Sequence, residues 1–151
     1  MVLNYRLLRE KEYSAVFTDI AAVRTTASHP TILKVILETS QLTTTEIVAG
    51  CKIAQAAKAD YVKTSTGFNG EGATIENVVL MKGVVGNSMK VKASGGVKTV
   101  RDAVRMMEAG AERIGTSNGV YIMSEASEML ENITHDIGQE SAGITRMWTD
   151  Y

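Results

Sequence analysis

Ala57-Lys58-Ala59-Asp60-Tyr61-Val62-Lys63-Thr64-Ser65-Thr66-Gly67 decides the fold, because the chain repeats its pattern. Ala109-Gly110-Ala111-Glu112-Arg113-Ile114-Gly115-Thr116-Ser117-Asn118-Gly119 aligns with it at an offset of 52 residues. That offset equals two strand–helix units of about 26 residues each, and strict alternation at such a period implies parallel strands joined by right-handed crossovers. The fold class is therefore α/β. Doubly wound sheets and (β/α) barrels both satisfy the periodicity, and the five strands counted below fall short of the eight in a closed barrel.

The rest of the chain fits around the repeat. Val2–Tyr5 reads as a first strand and Glu10–Ala27 as a helix, with Tyr13, Val16, Phe17, Ile20 and Val23 spaced by threes and fours. Pro30 ends that stretch, and the apolar run Ile32–Glu38 reads as a strand covered on both faces. Thr43 and Glu46 have capping-box spacing and open a helix to about Lys58. Asp60–Thr64 is the next strand, followed by a glycine-rich loop over Thr66–Gly72. Thr74 caps a helix carrying Val78, Leu80 and Met81; Met89–Ala93 is a strand closed by Ser94-Gly95-Gly96. Thr99 starts a helix that Gly110 ends, Glu112–Gly115 is the last strand, and Val120–Leu130 the last helix. Residues 132–151 have weak periodicity and read as a C-terminal tail to a single domain spanning 1–151.

Composition narrows the classes of function. Apolar residues form 44% of the 151, and a single proline argues for one packed domain. A formal net charge of −1 gives no electrostatic reason to expect nucleic acid or a membrane surface as partner. The lone Cys51 cannot form an internal disulfide, and no apolar run approaches membrane-spanning length. A cytoplasmic location is the expectation. Cys51 sits on the apolar side of a helix and reads as core; His29 and His135 have no metal-like spacing; Met81, Met106, Met107 and Met123 fit helix packing.

Parallel α/β folds carry their sites at the C-terminal ends of the strands, where Lys63 and Lys92 fall. Alternation puts Lys34, Ile36 and Glu38 on one face of their strand and Lys90, Lys92 and Ser94 on one face of another. Two ammonium groups within about 4–6 Å depress each other's pKa, and burial depresses it further. A lysine neutral in part near pH 7 can attack a carbonyl and form an imine. The competing reading is that such lysines only snorkel to solvent. Gly95-Gly96 and Gly115-Thr116-Ser117-Asn118-Gly119 lie between a strand and a helix, where free N–H groups favour a phosphate; glycines there also serve as plain turns.

Four segments, Lys34–Thr39, Ala59–Phe68, Lys92–Val97 and Arg113–Ser117, resemble the deoxyribose-phosphate aldolases in order and spacing across almost the whole chain. The resemblance implies a (β/α)8 TIM barrel of which this chain is a part, about five parallel units equivalent to the family's strands four to eight. It implies a lyase, a class I aldolase needing no metal or other cofactor, that reversibly cleaves 2-deoxy-D-ribose 5-phosphate into D-glyceraldehyde 3-phosphate and acetaldehyde in deoxyribonucleotide catabolism. By motif, Lys63 is the Schiff-base nucleophile and Lys92 the lysine that lowers its pKa. Gly95, Gly96, Gly115, Ser117 and Asn118 take the phosphate, with Asn118 where the family often has serine. Lys34, Thr66 and Tyr151 are supporting residues. On this alignment the family's catalytic aspartate would fall just before Met1. A partial barrel leaves sheet edges and one side of the interior open, which favours ordinary lysine pKa values and a homo-oligomer or a further chain that completes the barrel. The alternative is a catalytically impaired partial barrel that binds phosphosugars or serves assembly.

Overall fold

The computed structural model describes the backbone of residues 1–149 and the side chains of residues 1–134. Its strands are β1 (Lys34–Ile36), β2 (Tyr61–Lys63), β3 (Lys90–Ser94) and β4 (Arg113–Gly115). They lie side by side in chain order, and every neighbouring pair is parallel. The helices are α1 (Tyr5–Arg9), α2 (Tyr13–Thr26), α3 (Thr44–Ala56), α4 (Ile75–Val85), α5 (Val100–Glu108) and α6 (Gly119–Thr149). Helices α2 to α5 pack each against the next. They cover the sheet face that carries Val35, Val62 and Val91, all fully buried, while Lys34, Lys63 and Lys92 on the other face stay partly exposed. A doubly wound sheet is buried on both faces; one covered face is the geometry of a barrel wall.

Local chemistry explains the boundaries. Thr43 and Thr99 each form a complete capping box, with Glu46 and Asp102, at the starts of α3 and α5. Thr74 caps α4 by accepting from the Asn77 N–H. The expected first strand, Val2–Tyr5, is not a full strand. Val2 makes a single parallel bridge to Ile36, with the Leu3 N–H donating to the Ile36 carbonyl at 2.9 Å. Asn4 then accepts from the Leu7 N–H and starts α1, so the cap overrides the short β-pattern. The sheet thus has four strands and one bridged edge segment, where five strands were expected. The expected helix over Glu10–Ala27 begins later, at Tyr13, after Lys11 turns the chain with a φ of 63°. At the other end α6 continues to Thr149, through the segment expected to be a tail. Met107 and Met123 are 52% and 66% exposed, so they do not pack as expected, whereas Met81 and Met106 do.

The 52-residue repeat has a physical cause. Asp60 Oδ2 accepts from the Leu33 N–H at 2.7 Å and from Arg24 of α2 at 2.5 Å. Glu112 stands at the equivalent position. It accepts from the Val91 N–H at 2.8 Å and from Lys82 of α4 at 2.5 Å. In both units an acid at the strand entrance closes the ladder to the preceding strand and ties down the helix before that strand.

Burial alone would raise both carboxyls, but the N–H donor and the cation outweigh it and hold each below its ordinary range. A depressed folded-state value stabilises the fold above the unfolded pKa, near 4, and that stabilisation is lost as pH falls through the folded value. Asp60→Asn is expected to cost roughly 1–3 kcal/mol at pH 7, since it strips the charge from the partner of a largely buried guanidinium. It should also shrink the drop in thermal midpoint between pH 5 and pH 3. A wild-type-sized acid drop in the variant would show that Asp60 contributes nothing to it.

Candidate active site

Register builds the site. Ile36, Lys63, Lys92 and Arg113 form one row across the sheet, and Lys34, Tyr61 and Lys90 form the row below. In-register neighbours on parallel strands sit about 4.8 Å apart at the backbone and project to the same face, so Lys63 and Lys92 are adjacent. The Tyr61 ring lies beneath them, with Lys34 Nζ at 5.8 Å, Lys90 Nζ at 5.9 Å and the Arg113 guanidinium at 4.8 Å from its centroid. The face is strongly cationic, and the π face of Tyr61 moderates its lower half.

Burial, then the neighbouring Lys92 charge, pushes the Lys63 ammonium below the ordinary lysine range, with Glu38 opposing. Lys92 is lowered by burial, then by Lys34 and Arg113; Lys34 is lowered by burial, then by Arg113 and Lys63. The expectation that an open interior restores ordinary values therefore fails. Burial is the first cause in all three.

The loops after the strands are tied together. The Thr64 hydroxyl donates to the Ser94 carbonyl and accepts from the Ser94 N–H, both at 3.0 Å and buried. The Ala73 N–H reaches the carbonyls of Ser94 and Gly95, both at 3.0 Å. Gly72 lies so close to Gly95 that an added Cβ would sit 2.3 Å from the Gly95 carbonyl carbon and oxygen. At Gly115 an added Cβ would meet Ser94 Oγ at 2.6 Å and Lys92 Cε at 2.7 Å, so the missing side chain makes room for the Lys92 stem.

These loops line an open cavity of about 830 Å³. Lys92, Thr66, Gly95, Gly96, Gly115, Ser117 and Asn118 all line it, together with Lys98 and Phe68. Lys63 and Lys34 do not line it; Lys63 stands one strand away, beside Lys92, and Lys34 lies in the row below. Tyr151 lies outside the described residues, as do the side chains of His135 and Trp148. Cys51 is buried in the core, and burial pushes its thiol up to about 12.

Three contributors were not assigned from the sequence. Thr116 donates to the Val97 carbonyl at 2.6 Å and accepts from the Asn118 N–H at 2.9 Å, which shapes the turn into α6. Thr64 links two loops, as described. Glu38 was placed on the inner face by alternation, but nothing in the sequence showed that it is fully buried.

A parallel strand–helix array covered on one face, with paired lysines at the strand ends beside glycine turns, defines a (β/α) barrel segment with its candidate site at the C-terminal ends of the strands. The chain matches the model of the DeoC/LacD family aldolases over residues 1–125 and belongs to that family. It is 59% identical over 128 residues to a deoxyribose-phosphate aldolase of Coccidioides immitis, covering 83% of this chain and 48% of that protein. A crystal structure from Coccidioides immitis, 58% identical, superposes with a TM-score of 0.81 over 84% of this chain and 51% of that one. The deoxyribose phosphate aldolase from Aeropyrum pernix, described as tetrameric, is 32% identical with a TM-score of 0.71, covering 78% of this chain and 51% of that one. The chain thus spans about half the length of the relatives it matches. Its four strands form part of a TIM barrel. Among the described residues no helix is long and apolar enough to cross a membrane.

Proposed function

We propose that this chain carries the imine-forming half of a deoxyribose-phosphate aldolase site. The observation that supports this most is the in-register adjacency of Lys63 and Lys92 beside a cavity walled by the Gly95-Gly96 and Gly115–Asn118 turns. Lys63, with its ammonium destabilised by burial and by Lys92, is the nucleophile. Its neutral amine attacks C1 of 2-deoxy-D-ribose 5-phosphate, and loss of water leaves a protonated imine. The C3 hydroxyl then gives up its proton, the C2–C3 bond breaks, and its electron pair moves into the iminium to form an enamine. D-glyceraldehyde 3-phosphate leaves. Protonation of the enamine at C2 and hydrolysis of the imine release acetaldehyde and restore Lys63. Lys92 adds to burial in lowering the Lys63 ammonium and serves proton transfer. Gly95, Gly96, Gly115, Ser117 and Asn118 receive the phosphate through N–H groups and short polar side chains, the site such turns favour.

A complete site needs the barrel strands of its relatives that this chain's match does not cover, and as an assembly of several copies it acts in the cytoplasm on a small phosphosugar. Purified protein incubated with 2-deoxy-D-ribose 5-phosphate should release acetaldehyde. The assembly that elutes with this activity on size exclusion should be larger than the monomer. Absence of acetaldehyde from every elution fraction would refute the proposed activity.

A further inference from the structure

Glu38 is the most unusual side chain near the site. It is 0% exposed, yet the three ion pairs formed among the described residues do not include it. Its backbone is left-handed, with φ and ψ of 60° and 61°, a conformation uncommon for a non-glycine residue. What enforces it is on either side. The Leu37 N–H donates to the Lys63 carbonyl and the Thr39 N–H donates to the Thr64 carbonyl, both at 2.9 Å. Glu38 is thus clamped against the strand end that carries Lys63. Its carboxylate accepts from the Thr66 N–H at 3.1 Å, from the Thr66 hydroxyl at 2.5 Å and from Asn69 Nδ2 at 3.5 Å. Thr66, Gly67 and Phe68 form one wall of the cavity.

We infer that Glu38 is a positioning residue with two effects: it anchors the cavity wall at Thr66–Asn69, and its negative charge holds Lys63 in check. The second effect rests on the reading of Lys63 as nucleophile. The groups facing Lys63 are Lys92 from β3, Lys34 from β1, the α-amino group of Met1 and Glu38; of these only Glu38 favours the charged ammonium. Arg113 stands in the same row two strands from Lys63, beyond Lys92, and adds to the positive charge of that face. Glu38 therefore limits how far the cationic cluster can drive Lys63 toward the neutral form.

The test is peptide-resolved labelling of Lys63 by an amine-reactive reagent across pH 6 to 11, with acetaldehyde trapping by borohydride in parallel. Glu38→Gln keeps the size and an acceptor oxygen but removes the charge. Its Lys63 labelling midpoint should move to lower pH, by on the order of one unit. An unmoved midpoint in a natively folded variant overturns the electrostatic half. Thr66→Val, which leaves the carboxylate in place, should keep the midpoint and speed proteolytic cleavage within residues 66–72 several-fold. Unchanged cleavage overturns the anchoring half, and this variant also serves if Glu38→Gln does not fold. Labelling needs no substrate, so it separates the two ideas. A shifted midpoint without acetaldehyde trapping would uphold Glu38's role and defeat the aldolase reading, while trapping with an unmoved midpoint would do the reverse.

Discussion

Lys63→Leu is expected to abolish acetaldehyde release, by at least about 10³-fold, because no other group would replace the proposed covalent nucleophile. Lys92→Leu should be less severe and differ in kind. Losing a proton-transfer group costs about 10²–10⁴-fold. Removing the adjacent charge also relaxes Lys63 toward the ordinary lysine range, since Lys92 is the leading electrostatic cause of its depression after burial. The activity that survives in Lys92→Leu should therefore rise more steeply with pH than in the wild type. Equal pH dependence in the two proteins would remove Lys92 from the tuning role. In both variants the far-UV spectrum should be native, because each lysine is partly exposed and neither packs in the core.

Gly72→Ala should be the most damaging glycine substitution. The new methyl would lie 2.3 Å from backbone atoms of Gly95, which cannot rotate away as a flexible side chain can. The two loops must part, at a cost of about 1–3 kcal/mol for overpacking. Movement of Gly95-Gly96 would also pull one wall off the proposed phosphate pocket, raising KM more than it lowers kcat. Gly83→Ala provides the opposite sign. Gly83 lies exposed within α4, with nothing within 4 Å of its added Cβ, so alanine should stabilise by about 0.5–1 kcal/mol. Chemical denaturation of the pair checks both. A Gly72→Ala protein as stable as the wild type would mean the loop contact is not tight in solution.

Much of this architecture was legible because local rules and tertiary demands agree. The repeat around Asp60 and Glu112 could be read without knowing its cause, which is that each acid bridges a strand to the helix before its neighbour. Capping at Thr43, Thr74 and Thr99 fixed three helix starts to the residue. Where local signals compete, the reading failed. Asn4 can end a strand or start a helix, and its bond to the Leu7 N–H chose the helix. The site was legible as residue types on one face, because alternation and register are period-two properties. Its shape was not. That Lys92 lines the cavity and Lys63 stands one strand aside depends on sheet geometry, and the burial of Glu38 on a left-handed turn follows from contacts across 28 residues of chain.

Lys63 is the residue proposed to form the imine. Borohydride reduction of the protein in the presence of acetaldehyde, followed by peptide mass spectrometry, tests it most directly. A reduced two-carbon adduct on Lys63, absent from Lys34, Lys90 and Lys92 and lost in Lys63→Leu, is the predicted result. An adduct on Lys92 with Lys63 unmodified would contradict the account.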